Sequence, residues 1–162
     1  MDTDGRIITF DVGNSTFANV YPMSGTDGDS RNSRESLISS TLTNILINKK
    51  NNGIIGGDWN CVILKTDCTK NFKSKISPSL KRLVFVLNLK DSHKSVSKDS
   101  SFSRYYSSQK FGQDVTRIDR LYYYSGVYTI KSEYKATAFS DHWLKLLLTI
   151  LQKRINAVRV QK

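Results

Sequence analysis

Strand-like segments follow one another without a helix between them, and this constrains the chain more than any other feature. Ile8, Phe10 and Val12 alternate within residues 5–12, the period-2 pattern of a strand with one apolar side. Asn14-Ser15 marks a turn, and residues 17–21 supply an antiparallel partner that Pro22 stops. Further on, residues 102–106, 117–124, 127–134 and 143–151 are rich in β-branched and aromatic side chains. In the last of these, Leu144, Leu146, Leu148 and Ile150 alternate with Lys145, Leu147 and Thr149, which favours a strand over a helix. Parallel neighbours need long crossovers, so strands joined this closely pair antiparallel. The expected fold class is α+β rather than a doubly wound sheet.

Two helices are expected among these strands. After a loop at residues 24–32, Asn32 is a candidate cap with Glu35 three residues on. Ile38, Leu42, Ile45 and Leu46 then share one face, with Leu37 at its edge. Lys49 and Lys50 suit the negative C-terminal end of that helix, and Gly53 ends it. A short buried strand at Ile54-Ile55 runs into Gly56-Gly57-Asp58-Trp59-Asn60. The spacing of Leu80, Leu83, Val84 and Leu87 predicts a second helix over 79–89. Residues 65–77 are polar and basic, an expected surface excursion, and a Ser- and Lys-rich loop is expected from Asp91 to Ser100.

Charge narrows the partners. Lys and Arg number 25 against 14 Asp and Glu, a formal net charge of +11. An excess of this size favours a polyanion, because each neutralised phosphate releases counterions. No run approaches the ~18 apolar residues of a membrane span. Residues 1–11 carry acids and no apolar core of a signal peptide, so the expected location is intracellular, nucleus or cytoplasm. Cys61 and Cys68 are the only cysteines, and their spacing fits neither a zinc motif nor a disulfide framework.

Three acidic clusters each sit at a strand end. In Gly57-Asp58-Trp59-Asn60 an extended backbone would point Asp58 and Asn60 to one side, a carboxylate to activate or coordinate and an amide to hold an oxygen. Taken alone, Gly-Asp is also an ordinary turn. In Arg117-Ile118-Asp119-Arg120 alternation puts Arg117 with Asp119 and Ile118 with Arg120, a pattern equally suited to surface charge on a half-exposed strand. Ser140-Asp141-His142 offers an acid/base pair, since histidine titrates near working pH, or an exposed loop. His93 has no comparable setting and is expected at the surface.

The three clusters in this order, each beside a strand, resemble the endonuclease/exonuclease/phosphatase superfamily, the DNase I-like fold. Asn19-Val20-Tyr21-Pro22 looks like that family's strand ending in a functional Tyr. Leu89-Lys90-Asp91-Ser92-His93-Lys94 is similar to its Leu-x-Asp-x-Trp-Arg segment, with His93 and Lys94 as departures. Ser101-Phe102-Ser103 looks like its Phe-Thr strand, with Ser103 in place of Thr. Gly-Gly-Asp-Trp-Asn-Cys and Arg-Ile-Asp-Arg-Leu-Tyr resemble the LINE-type retrotransposon endonucleases most. The resemblance runs over residues 5–151, leaving 152–162 as a basic tail.

The resemblance implies a four-layered α/β sandwich, two mixed β-sheets flanked by helices, that hydrolyses DNA phosphodiesters with Mg²⁺, or with Mn²⁺. Asp58 would orient or deprotonate the attacking water, and Asn60 would bind the scissile phosphate. Tyr21 would contact that phosphate or support the metal environment. Asp119 would hold His142 in its tautomer, and His142 would stabilise charge developing on the phosphoryl oxygens. Asp141 would sit near the metal or its waters, with Ser103 and Ser140 as supporting donors. A reverse transcriptase module would belong to the parent element.

The family also has an early strand carrying an Asn and a later one carrying its principal Glu metal ligand. Neither has a counterpart here, and Glu35 and Glu133 stand in the wrong order to replace that Glu. The resemblance therefore implies the C-terminal two-thirds of such a domain, a truncated copy with weak or no activity. The alternative is a non-catalytic basic nucleic-acid-binding remnant; an intact nuclease completed by another chain and a small-molecule or lipid phosphatase are further readings.

Overall fold

The computed structural model describes residues 5–47, 52–68, 76–96, 107–108, 115–124, 127–135 and 144–151. Strands β1 (Ile7–Val12) and β2 (Ser15–Val20) form a hairpin, with Phe10 paired to Phe17. Gly13, in the turn, has a φ of 58°. The chain then crosses through helix to β3 (Asn52–Asp58), which lies parallel to β2.

That crossover is helical over 28–47: α1 (Gly28–Ser36), a π-helical stretch (Leu37–Leu42) and α2 (Thr43–Ile47). It begins earlier than the sequence suggested. Asp27, not Asn32, is the cap: its carboxylate accepts from the Ser30 N–H at 2.8 Å, and the Ser30 hydroxyl closes a capping box. Nor does Gly53 end the helix; it lies inside β3. Ile38, Leu42 and Leu46 are buried at a spacing of four, as expected of the inward face.

Helix α3 (Pro78–Val86) follows, with Ser77 accepting from the Leu80 N–H and Pro78 in the first turn, where a missing N–H costs nothing. A short β4 (Lys90–Asp91) leads into α4 (Ser92–Val96), so the expected loop after Asp91 opens as a helical turn. β5 (Ser107–Ser108) pairs with β6 (Val115–Thr116). β7 (Asp119–Tyr124) runs antiparallel to β3 and to β4. β8 (Val127–Lys135) and β9 (Leu144–Leu151) pair antiparallel, with a register shift between Thr129 and Lys131. The expected strand at 102–106 lies outside the described residues.

The fold is α+β. Among the described residues its centre is a five-stranded mixed sheet in the order β1-β2-β3-β7-β4, beside two two-stranded sheets. One face of the central sheet meets the helices. Ala18, Val20, Ile55, Trp59 and Tyr122 pack there against Ile38, Leu42, Leu46, Leu80 and Leu83. Alternation puts Ile8, Phe10, Val12, Phe17 and Ile54 on the opposite face. There Ile8, Phe10 and Val12 are each more than half exposed.

Candidate functional site

Sheet register brings the first two acidic clusters together. Asp58 and Asp119, 61 positions apart, are direct partners at the ends of β3 and β7 and therefore share a face, the one away from the helices. Both are half-buried. Like charges directly opposite one another weaken a sheet, so stability alone does not select this pair. Next along the same row comes Tyr21. Val20 pairs with Gly57, which puts Tyr21 beside Asp58 on the neighbouring strand. Tyr21 is 55% exposed, open to a ligand.

Gly57 permits this approach. Its φ is 140°, and a Cβ there would run into the Val20 carbonyl, so β2 and β3 meet at this register only with glycine. Beyond Asp58 the strand bends. Trp59 continues the β7 ladder through its N–H to the Ile118 carbonyl at 3.0 Å and inserts its indole into the core, edge-on to Tyr122. Asn60 takes a left-handed φ of 49°, which Asn tolerates better than most residues. It is therefore not extended, as two-residue alternation with Asp58 had implied. The Asn60 N–H donates to Asp58 Oδ1 at 2.8 Å and its Nδ2 to the Pro22 carbonyl at 3.0 Å. Asp58, Asn60 and the Tyr21-Pro22 turn thus form one constellation.

Arg34 holds this constellation from behind. It is fully buried, and its NH1 donates to the carbonyls of Asn60 (3.1 Å) and Ser24 (3.3 Å). Nε and NH2 both reach Glu35 Oε1 at 3.2 Å, while Glu35 Oε2 accepts from Ser77 Oγ (2.8 Å) and the Ser79 N–H (3.0 Å). Gly25, with φ 67°, leaves room for the guanidinium, which a Cβ would strike. Glu35 is thereby committed to joining α1 to the start of α3.

The Arg-Ile-Asp-Arg segment departs from simple alternation. The Ile118 N–H donates to the Thr116 carbonyl at 3.1 Å, a tight bend between β6 and β7. As a result Arg117, Ile118 and Arg120 are all buried, and only Asp119 is half-buried. Arg117 contacts Asp67 Oδ1 at 3.1 Å and Asp91 Oδ2 at 2.7 Å. Arg120 contacts Asp67 Oδ2 at 2.8 Å and donates to the Arg117 carbonyl and the Tyr122 hydroxyl. Asp67, in the stretch expected at the surface, is 2% exposed. Burial alone would raise its carboxyl pKa, but Arg120 and Arg117, with help from Lys94, hold it below the ordinary carboxylate value. Burial pushes the Tyr122 hydroxyl up to about 12, so it stays a neutral partner. Asp91 divides its carboxylate, Oδ2 to Arg117 and Oδ1 to the His93 N–H that opens α4. His93, expected at the surface, is buried.

Ser103, Ser140, Asp141 and His142 lie outside the described residues. Among the described residues no group of three His, Cys, Asp or Glu side chains is placed to hold a metal. The Asp58–Asp119 pair suits Mg²⁺ in kind, since that ion takes one or two carboxylates and keeps water in its other positions. No described helix is long and apolar enough to cross a membrane.

No protein-family model matches the sequence, and no curated protein does. Solved structures do match in fold. A 3′ phosphatase, NExo, from Neisseria, bound to a product DNA hairpin, matches with a TM-score of 0.72 at 18% identity over 91% of this chain. An AP endonuclease from Archaeoglobus fulgidus matches with the same TM-score, 0.72, at 14% identity over 94% of the chain. An endonuclease/exonuclease/phosphatase from Bacteroides vulgatus matches at 0.51 and 16% identity, over 85% of this chain and 51% of its own. The chain spans 65% and 68% of the first two proteins' lengths. At these identities the likeness is one of fold: the α+β architecture is that of endonuclease/exonuclease/phosphatase proteins.

Proposed function

We propose that the chain is a phosphodiesterase domain acting on DNA with Mg²⁺, of the retrotransposon endonuclease type, and that its turnover is slow. The observation that carries this reading is the meeting of Asp58 and Asp119 across the β3–β7 ladder, beside Tyr21 and Asn60. Phosphodiester hydrolysis needs a positioned water, a held phosphate and a stabilised leaving oxygen. Asp58 is assigned the water, its carboxylate fixed by the Asn60 N–H. Asn60 is assigned the phosphate through its side-chain amide, and Tyr21, 55% exposed, supports it. Asp119 is assigned the orientation of His142, on the strength of the resemblance. Asp141, by the same resemblance, would sit near the ion or its waters. Bound Mg²⁺ would supply charge neutralisation at the phosphoryl oxygens.

Plasmid nicking tests the proposal. Slow nicking is expected with Mg²⁺, none with EDTA, and a loss of about 10²-fold or more in Asp58→Ala and in His142→Ala. Unchanged nicking in both variants would refute the site. The net charge of +11 favours a second reading, a module that binds DNA without cutting it. A folded chain that binds DNA in EDTA with steep salt dependence and nicks nothing would establish that one.

A further inference from the structure

The row of side chains at the site extends one strand further than the catalytic assignment uses. The Tyr21 N–H donates to the Arg6 carbonyl at 2.8 Å, which continues the β1–β2 pairing by one residue beyond Ile7 and Val20. Alternation then sets Arg6 on the same face as Ile8 and Phe10, and on the same face as Tyr21, Asp58 and Asp119. Arg6, Tyr21, Asp58 and Asp119 therefore form one transverse row over four adjacent strands. At ~4.8 Å per strand, Arg6 stands roughly 10 Å from Asp58 along the row.

Among the described residues, its side chain is held but not neutralised. The guanidinium carbon lies 5.8 Å from the centre of the Tyr21 ring, within cation–π range. NH1 donates to the Tyr21 carbonyl at 3.3 Å, and Nε is buried without a hydrogen-bond partner. Arg34, Arg117 and Arg120 each spend their charge on a carboxylate within 3.2 Å, whereas no described acid pairs with Arg6. A guanidinium held this way is pre-organised; with NH1 on the Tyr21 carbonyl and Nε buried, NH2 and the second NH1 hydrogen are the donors left for a phosphate.

We infer that Arg6 binds a phosphodiester flanking the one held at Asp58 and Asn60, and so sets how the DNA backbone lies along the sheet row. The inference rests on the DNA-binding part of the function proposed above, and not on cleavage.

The test is equilibrium binding of the full chain to a fluorescein-labelled DNA duplex in EDTA, over a salt series. Relative to the unaltered chain, Arg6→Ala is expected to bind about five- to tenfold more weakly, with a log–log salt slope reduced by about one. Arg6→Lys should keep the slope and recover part of the affinity, since an ammonium keeps the charge but not the fork. Arg82→Ala, an exposed cation on α3, should change neither. Arg6→Gln, which retains a donor for the Tyr21 carbonyl, separates lost charge from a disturbed fold when its melting temperature is unchanged. Salt-dependent binding by the unaltered chain together with the same affinity and slope in Arg6→Ala would overturn the inference and leave the DNA reading standing. No DNA binding by the folded, unaltered chain would overturn both.

Discussion

The two faces of the central sheet differ in what they are built to do. The helix face is closed: Ala18, Val20, Ile55, Trp59 and Tyr122 are each no more than 7% exposed beneath α1–α3. The opposite face carries Arg6, Tyr21, Asp58 and Asp119 at one end of its strands, while Ile8, Phe10 and Val12 lie 55–60% exposed on the edge strand. One face therefore holds the helix-packed core, and the other presents polar groups at its strand ends, with Asp58 and Asp119 half-buried and Tyr21 55% exposed. Substitutions on the first face should therefore be felt as unfolding and those at the strand ends of the second as lost chemistry.

The largest effect is expected at Trp59, which adjoins Asp58 in sequence but belongs to the helix face. It is fully buried, edge-on to Tyr122 at 5.5 Å, with its indole N–H donating to the Arg120 carbonyl at 3.3 Å. Trp59→Ala should cost about 3–5 kcal/mol in a denaturant titration. Asp58→Asn, one residue away, should cost under about 1 kcal/mol of stability while abolishing any nicking, as a change at an open site does. Equal losses of stability at the two neighbours would erase the distinction.

Asp67 comes next, beneath Arg117 and Arg120. Asp67→Asn removes the carboxylate that both buried guanidiniums contact, at 3.1 Å from Arg117 and 2.8 Å from Arg120, and should cost about 3 kcal/mol. The pH dependence has a definite sign. Asp67 has a folded-state pKa below its ordinary 3.8, so its contribution is complete above about pH 4 and is lost as the pH falls through the folded value. The melting temperature of the unaltered chain should drop below about pH 4, and that of Asp67→Asn should drop less over the same range. An equal acid response in the two proteins would show that the cluster does not carry it.

Legibility in the sequence follows the same division. The helix face was readable because burial repeats every four residues through Ile38, Leu42 and Leu46, and the β1–β2 hairpin because Ile8, Phe10 and Val12 alternate. The helix start at Asp27 was hidden, since Gly28-Asp29-Ser30 has the composition of a loop and only the cap geometry declares it. The buried Arg34, Arg117, Arg120 and Asp67 were hidden for a different reason. Charged residues default to the surface until their partners are known, and the partners lie up to 53 positions apart. The Thr116–Ile118 bend further breaks the alternation that would have given the faces of Arg117 and Arg120. The pairing of Asp58 with Asp119 is likewise a matter of register between distant strands. The family resemblance named both residues, but periodicity alone could not bring them together.

The smallest expected effect lies at Phe10, and it bears most directly on the comparison. Phe10 stacks on Phe17 at 5.2 Å between ring centres, yet remains 55% exposed. Most of its surface already faces water in the folded chain, so burial gives it little to lose. Phe10→Ser should therefore cost about 0.5–1 kcal/mol, the worth of the aromatic pair itself. This is several-fold less than Trp59→Ala, although both remove a large aromatic ring from the same sheet. The two variants, titrated together at the same chain concentration, isolate the faces. A loss at Phe10 as large as that at Trp59 would mean that this half of the sheet is covered in solution. The contrast between a closed face and an open one would then fail at the edge strand.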